Sequence, residues 1–237
     1  MSGLHKAVVR TGDNAREAIF LSREGRFTAL VELEGKGHLV YLPNSGRMTG
    51  LLLPGQSVVL VPRQRGRRIT DYDLVAVSSG SSWAWVDSRT SNELIAAALS
   101  VSALTPFCLY SRVRREIPFE GSRFDFCLGG GPSTCLLEVK SVTLVEEGKA
   151  LFPDAPTRRG RRHLDTLAIA RSGGYEAAVV FVIQRDDAAN FSPHDGLDPA
   201  FGRALRAAAE AGVGAYAYGC DVTRSEIKLA REVEVCL

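Results

Sequence analysis

SRFDFCLGGGPSTCLLEVKS, residues 122–141, reads as two strands joined by a glycine-rich loop, and its charges decide the fold. Asp125 lies between Phe124 and Phe126 in the first strand, and Glu138 and Lys140 flank Val139 in the second. Residues i and i+2 of a strand point the same way, so Glu138 and Lys140 share a face. Charges among apolar strand residues are costly to bury unless they are paired or bound to a metal. With the loop centred between Gly131 and Pro132, antiparallel partners sum to 263 and Asp125 falls opposite Glu138. Opposed residues have Cβ atoms about 4.5–5.5 Å apart, close enough to share one divalent ion. Upstream, a tight turn at Glu120-Gly121 makes partners sum to 241 and brings Glu116 opposite Asp125. The pattern predicts a meander over residues 110–117, 122–128 and 134–142, with three acids and a lysine in one patch.

Downstream lies FPDAPTRRGRRHLDTLAIARSG, residues 152–173. Its helical pattern starts near Thr157, with Leu164, Leu167, Ala168 and Arg171 on one stripe, and ends at Gly173-Gly174. Arg158, Arg159, Arg161, Arg162 and His163 crowd the N-terminal end, where a helix already attracts anions. EAAVVFVI, residues 176–183, is apolar enough for a strand buried on both faces. With a helix over residues 92–99 before the meander, the order is α-β-β-β-α-β. Residues 184–196 read as a polar loop, with His194 and Asp195 solvated. Residues 199–211 read as a helix and 214–220 as a strand.

Before residue 87 the texture differs. Short strands are expected at 18–21, 26–33, 38–41, 57–61, 73–77 and 83–86, separated by turn residues. That spacing predicts a small all-β barrel of the five-stranded OB type. Two loops stand out: residues 43–48, with Asn44, Gly46 and Arg47, and residues 62–68, with Arg63, Arg65, Arg67 and Arg68. Arginine forks match phosphate geometry, so the second loop is a candidate nucleic-acid contact. The pattern changes at 87–91. The expected division is a barrel over 1–86 and an α/β domain with a mixed sheet over 87–237.

The 237 residues are 45% hydrophobic and 24% charged, enough for an ordinary core. A net charge of +2 means that any nucleic-acid surface must be local. The five cysteines form no CxxC pair and predict buried thiols rather than a zinc site. No apolar run approaches the roughly 18 residues of a membrane helix, and the expectation is a soluble cytoplasmic protein.

Acidic residues and a lysine on adjacent strands suit phosphodiester hydrolysis. Asp125 and Glu138, with the carbonyl of Val139, are the expected ligands of one or two hard cations, Mg2+ or Mn2+. Lys140 would orient a water or offset transition-state charge, and Glu116 is a further acid. Asp125 with Glu138-Val139-Lys140 resembles the PD-(D/E)XK nuclease motif. PNSGRM (43–48), SRFDF (122–126), LEVKSVTL (137–144) and FPDAPTRRGRRHL (152–164) resemble the hallmark segments of the sugar fermentation stimulation protein A family over nearly the whole chain. The resemblance implies an OB-fold domain, a nuclease-like domain, and DNA as partner with RNA as a second candidate; the lack of a long apolar run implies no membrane. It matches Glu116, Asp125, Glu138 and Lys140 to the family's candidate active site. Arg159 and His163 match its basic motif, beside which Arg162 is counted as a nucleic-acid contact. Asn44, Gly46 and Met48 match its PNTG-type segment, where Ser45 replaces the usual threonine. Ala97 stands where relatives carry a glutamate, so the helix over 92–99 is expected to take no part in placing a metal. The competing reading is a non-catalytic DNA-binding regulator of sugar-utilisation genes. A structural ion-pair cluster is the third, and a homodimer is the expected oligomer to test.

Overall fold

The computed structural model describes residues 3–63 and 69–237. The expected phosphate contacts Arg65, Arg67 and Arg68 lie outside the described residues. After β1 (Val8–Arg10) come β2 (Arg16–Gly25), β3 (Thr28–Leu33), β4 (Lys36–Tyr41), β5 (Ser57–Pro62), β6 (Tyr72–Ser79) and β7 (Ser82–Trp85). Strands β2 to β6 form a closed five-stranded barrel. They run in the order β4-β3-β2-β5-β6, and Tyr41 of β4 closes the ring beside Asp73 of β6. TALVEL in β3 alternates buried and open positions, which sends Ala29, Val31 and Leu33 into a core with Phe20, Leu42, Leu60 and Leu74. Barrel closure removes the exposed sheet edges that such short strands would otherwise leave.

The second domain opens with α1 (Arg89–Ser100) and continues through β8 (Arg112–Phe119), β9 (Ser122–Gly129) and β10 (Cys135–Val142). Next come β11 (Leu144–Glu146), β12 (Lys149–Phe152), α2 (Arg158–Ser172), β13 (Glu176–Ile183) and β14 (Asn190–Pro193). The chain ends with α3 (Pro199–Glu210), β15 (Gly214–Val222) and β16 (Glu226–Val235). One mixed sheet runs β11-β12-β14-β16-β15-β13-β10-β9-β8, and β1 also pairs with β16. The architecture is thus a closed five-stranded barrel followed by an α/β domain with a mixed sheet. Residues 3–10, ahead of the barrel, pack on the larger sheet.

Strand β13 lies between β10 and β15, parallel to both, and every residue from Ala177 to Ile183 is buried. Its even-numbered residues join a core with α1, and its odd-numbered residues join a core with α2 and α3. Residues 184–196 are not wholly loop: Asn190–Pro193 pairs in parallel with β12, and Asp195 is held by Arg206. No helix is long and apolar enough to cross a membrane, among the described residues. Cys127, Cys135 and Cys220 are buried and free, whereas Cys108 and Cys236 are exposed.

Candidate active site

Both meander registers appear in the structure. Strands β9 and β10 pair as Leu128–Cys135, Cys127–Leu136 and Phe126–Leu137, each summing to 263. Strands β8 and β9 pair with sums of 241 on either side of Glu116 and Asp125. The hairpin turns at Glu120 (φ 44°) and Gly121 (φ 69°), the two left-handed residues that a tight primed turn requires.

At Glu116 and Asp125 themselves the ladder lapses. Glu116 takes φ 56°, and the meander flips faces there. Phe126 and Leu128 join the α1-side core, whereas Phe124 joins the α2-side core with the next residue but one reversed. This irregularity turns the Asp125 carboxylate into the β9–β10 seam. Its Oδ2 accepts the backbone N–H of Val139 at 2.8 Å, and its Oδ1 accepts Nδ2 of Asn92 at 2.8 Å. Helix α1 therefore contributes a hydrogen bond to Asp125, through Asn92. Glu116 ends on the open side, its side chain 58% exposed and 3.5 Å from Arg123.

Glu138 and Lys140 share a face, as alternation requires, with Lys140 Nζ 2.5 Å from Glu138 Oε1. His163, on the second turn of α2, faces the same oxygen, its Nδ1 at 2.5 Å. His163 is 1% exposed and Glu138 is 4% exposed. The histidine thus holds the carboxylate from behind, and the exposed basic positions on α2 are Arg158, Arg159 and Arg162. Helix α2 starts where it does because Thr157 Oγ1 caps Gly160 N at 3.0 Å.

The two acids sit in opposite electrostatic states. Burial, and then the neighbouring Glu138 carboxylate, push the Asp125 carboxyl up to about 6, against the hydrogen bonds from Val139 and Asn92. For Glu138, burial pushes upward, but Lys140 and then His163 outweigh it and hold the carboxyl below its ordinary value. Glu138 Oε2 and His163 Nε2 are buried with no hydrogen-bond partner. Among the described residues, no group of three or more His, Cys, Asp or Glu side chains is arranged to hold a metal ion. Among the described residues, the carboxylates meeting at the β9–β10 seam are those of Asp125 and Glu138.

Asn92 and Lys140 line a cleft of about 520 Å³ between the two domains, with Asn44 to Gly46 and Arg26 and Phe27 on the barrel side. Residues from Phe152 to Thr157 and Arg159 complete it. Arg159 also borders a second hollow with Glu116, Arg123, Arg162 and His163. The loop over residues 43–48 is shaped from within. Asn44 Nδ2 donates to Val86 O at 3.0 Å and its Oδ1 accepts Gly46 N at 2.8 Å, so the Asn44 side chain is spent on the fold. Arg23 gathers the carbonyls of Asn44, Gly46 and Arg47. Gly46 rests on Asp154, where an added Cβ would meet a carboxylate oxygen at 2.2 Å, and Met48 N donates to Asp154 at 3.3 Å. The PNSG and FPD segments are therefore a clasp between domains. Arg47 is exposed and lies toward a different hollow, with Thr143 and His194. Arg63 reaches the buried Asp73 at 3.2 Å.

Gln184, a residue the sequence pattern did not mark, locks this junction. Its Nε2 donates to Asp87 O at 3.0 Å, and its Oε1 accepts Ser91 Oγ and Ser141 Oγ. Its position at the end of β13, next to the loop, was the available signal.

Two family models match the chain: the sugar fermentation stimulation protein RE domain over residues 89–226, and the SfsA N-terminal OB domain over residues 21–86. A sugar fermentation stimulation protein homolog of Moorella thermoacetica is 46% identical over 226 residues, covering 94% of this chain and 97% of that protein. The homolog of Chloroflexus aurantiacus is 46% identical over 219 residues, covering 92% and 85%. Among solved structures, Pyrococcus furiosus SfsA in complex with Ca2+ superposes with a TM-score of 0.89 at 27% identity, covering 95% of this chain and 97% of that one.

Proposed function

The chain belongs to the sugar fermentation stimulation protein family, and from that premise we propose that it binds DNA and hydrolyses phosphodiester bonds in DNA or RNA with a divalent metal. The observation that carries the reading is the part-buried Asp125, raised by burial and by the buried Glu138, with Glu138 paired to Lys140, a residue that lines a cleft with an OB barrel for its other wall. A surface meant only to bind phosphate gains nothing from buried acids that repel it. An ion-pair cluster built for stability would give Asp125 a cation, whereas its two hydrogen bonds come from neutral donors.

The donor set fits a hard cation. Glu138 Oε2 has no protein partner, and a cation between the carboxylates relieves the repulsion that raises Asp125. Two carboxylates and the Val139 carbonyl leave the remaining positions to water, as Mg2+ or Mn2+ prefers. The solved Pyrococcus relative is described in complex with Ca2+, another oxygen-seeking ion. When bound, the metal supplies Lewis-acid polarisation of the phosphate and a more acidic water. Asn92 and the Val139 N–H fix Asp125, and His163 fixes Glu138. Lys140 offsets charge growing on the phosphate oxygens. Arg159 and Arg162 would hold phosphates on either side of the cut.

Wild-type protein with Mg2+ or Mn2+ is expected to nick plasmid or shorten single strands, and EDTA to stop it. Asp125→Ala should abolish the activity and Lys140→Ala should slow it about 10²–10³-fold; variants that cut as well as wild type would overturn the assignment. Protein that never cuts, yet binds DNA with a steep salt dependence, would favour the regulator reading.

A further inference from the structure

We propose that the interdomain cleft accepts a single, unpaired nucleic-acid strand, with Phe27 as the platform on which a base stacks beside Lys140. The inference deepens the nuclease reading and rests on it for the role of the cleft. Phe27 sits between β2 and β3, 39% exposed, on the barrel wall. The barrel core is filled without it, by Phe20, Leu42, Leu60, Leu74 and their neighbours. Its ring instead lies against Tyr41, centroids 6.2 Å apart and planes 29° from parallel, with the Arg26 guanidinium 5.3 Å from the ring centre. A partly exposed aromatic ring with an arginine against it brings together the two attractions that hold bases of single strands, stacking and cation–π.

Position turns this into selectivity. Arg26, Phe27, Asn92, Lys140 and Arg159 all line the one cleft. Its volume of about 520 Å³ lies in the ~300–1,000 Å³ range that encloses a small molecule, which suits a nucleotide rather than a duplex. A base inside a duplex has both faces covered by its neighbours, so a side chain can stack on it only after it leaves the helix. A strand whose backbone passes Lys140 and whose base rests on Phe27 is therefore unpaired at that point. Arg159 borders both this cleft and the hollow that holds Arg123 and Arg162. It marks the way the backbone leaves, across the start of α2.

The test is fluorescence anisotropy in EDTA, where nothing is cut, using one labelled oligonucleotide as a single strand and as a duplex. The single strand is expected to bind about tenfold tighter or more. Phe27→Leu, which keeps an apolar side chain, should cost about tenfold on the single strand, the loss of one stack, and leave the duplex unchanged. Phe27→Trp should restore binding. 2-Aminopurine walked along the strand should be quenched at one position by wild type and Phe27→Trp, and stay bright with Phe27→Leu. Equal affinity for both forms, or indifference to Phe27→Leu, overturns the inference. The nuclease reading fails separately: a Phe27-dependent preference in a protein that never cuts with Mg2+ or Mn2+ upholds strand selection and removes the activity. Cutting of both forms alike, unaffected by Phe27→Leu, removes strand selection alone.

Discussion

The two walls of the cleft use polar groups in opposite ways. On the barrel side, Asn44 and Arg23 spend their hydrogen bonds on the chain itself, fixing a loop that clasps Asp154. On the sheet side, the buried Glu138 lies close enough to the part-buried Asp125 to raise it, and Glu138 Oε2 has no hydrogen-bond partner. The barrel wall is stable as it stands and offers shape. The sheet wall leaves one carboxylate, Asp125, raised by burial and by its neighbour Glu138. Strain gathered at one place while its surroundings are satisfied is the signature expected of a reacting site.

The largest effect should come from removing that charge. In metal-free wild type, Asp125 holds its proton more tightly folded than unfolded, since its carboxyl is raised to about 6. The Asp125 contribution to folded stability should therefore fall as pH climbs from about 4 through 6, by roughly 3 kcal/mol, and then level off. Asp125→Asn has no such proton to lose. Denaturant unfolding in EDTA should show the variant gaining on wild type across that window; parallel curves would mean that the sheet wall is not under electrostatic load. Constant costs of the substitution, such as a weaker bond to Val139 N, cancel in the pH dependence.

Next are the groups that hold the acids. Asn92→Ala or His163→Gln should lower metal affinity or cleavage by about 10–100-fold, as loss of a ligand's hydrogen-bond partner typically does. DNA affinity in EDTA should stay near wild type, because His163 is buried. If His163→Gln weakened DNA binding and left metal affinity intact, the histidine would be a nucleic-acid contact after all. The smallest effect belongs to the exposed arginines. Arg159→Ala should weaken binding a few-fold across all sequences and reduce the salt slope by about one. A loss confined to one sequence would contradict a phosphate contact.

Much of this was legible in the sequence because periodicity reports directly on burial. The alternating segments of the barrel and the continuous apolar run of Glu176–Ile183 became strands. Both meander registers followed from loop chemistry, through Glu120-Gly121 and the glycine-rich 129–133 turn. The short strands β1, β11, β12 and β14, of three or four residues, were not legible, since so few positions cannot establish a period. Strand β16 did carry a signal, in the alternation of Ile227 and Leu229, but its many charges hid it. At the site, the pairing of Glu138 with Lys140 followed from strand geometry alone. The lapse at Glu116 and Asp125 did not, because a local flip of both strands leaves the register sums unchanged. The helix start at Arg158 was read as a basic anion site with His163 in it. The helical turn that buries His163 against Glu138 depends on how α2 docks, which the helix's own sequence does not report.

The most direct test of the central claim puts metal binding and cleavage in one sample. Mn2+ would be titrated into wild type, Asp125→Asn and Lys140→Ala, with binding followed by calorimetry and cutting of a labelled oligonucleotide followed on gels. The account predicts that wild type binds and cuts and that Asp125→Asn does neither. Lys140→Ala should bind metal near normally while cutting about 10²–10³-fold more slowly. Unaltered cleavage by Asp125→Asn, or Mn2+ bound as tightly without the carboxylate as with it, would contradict the account.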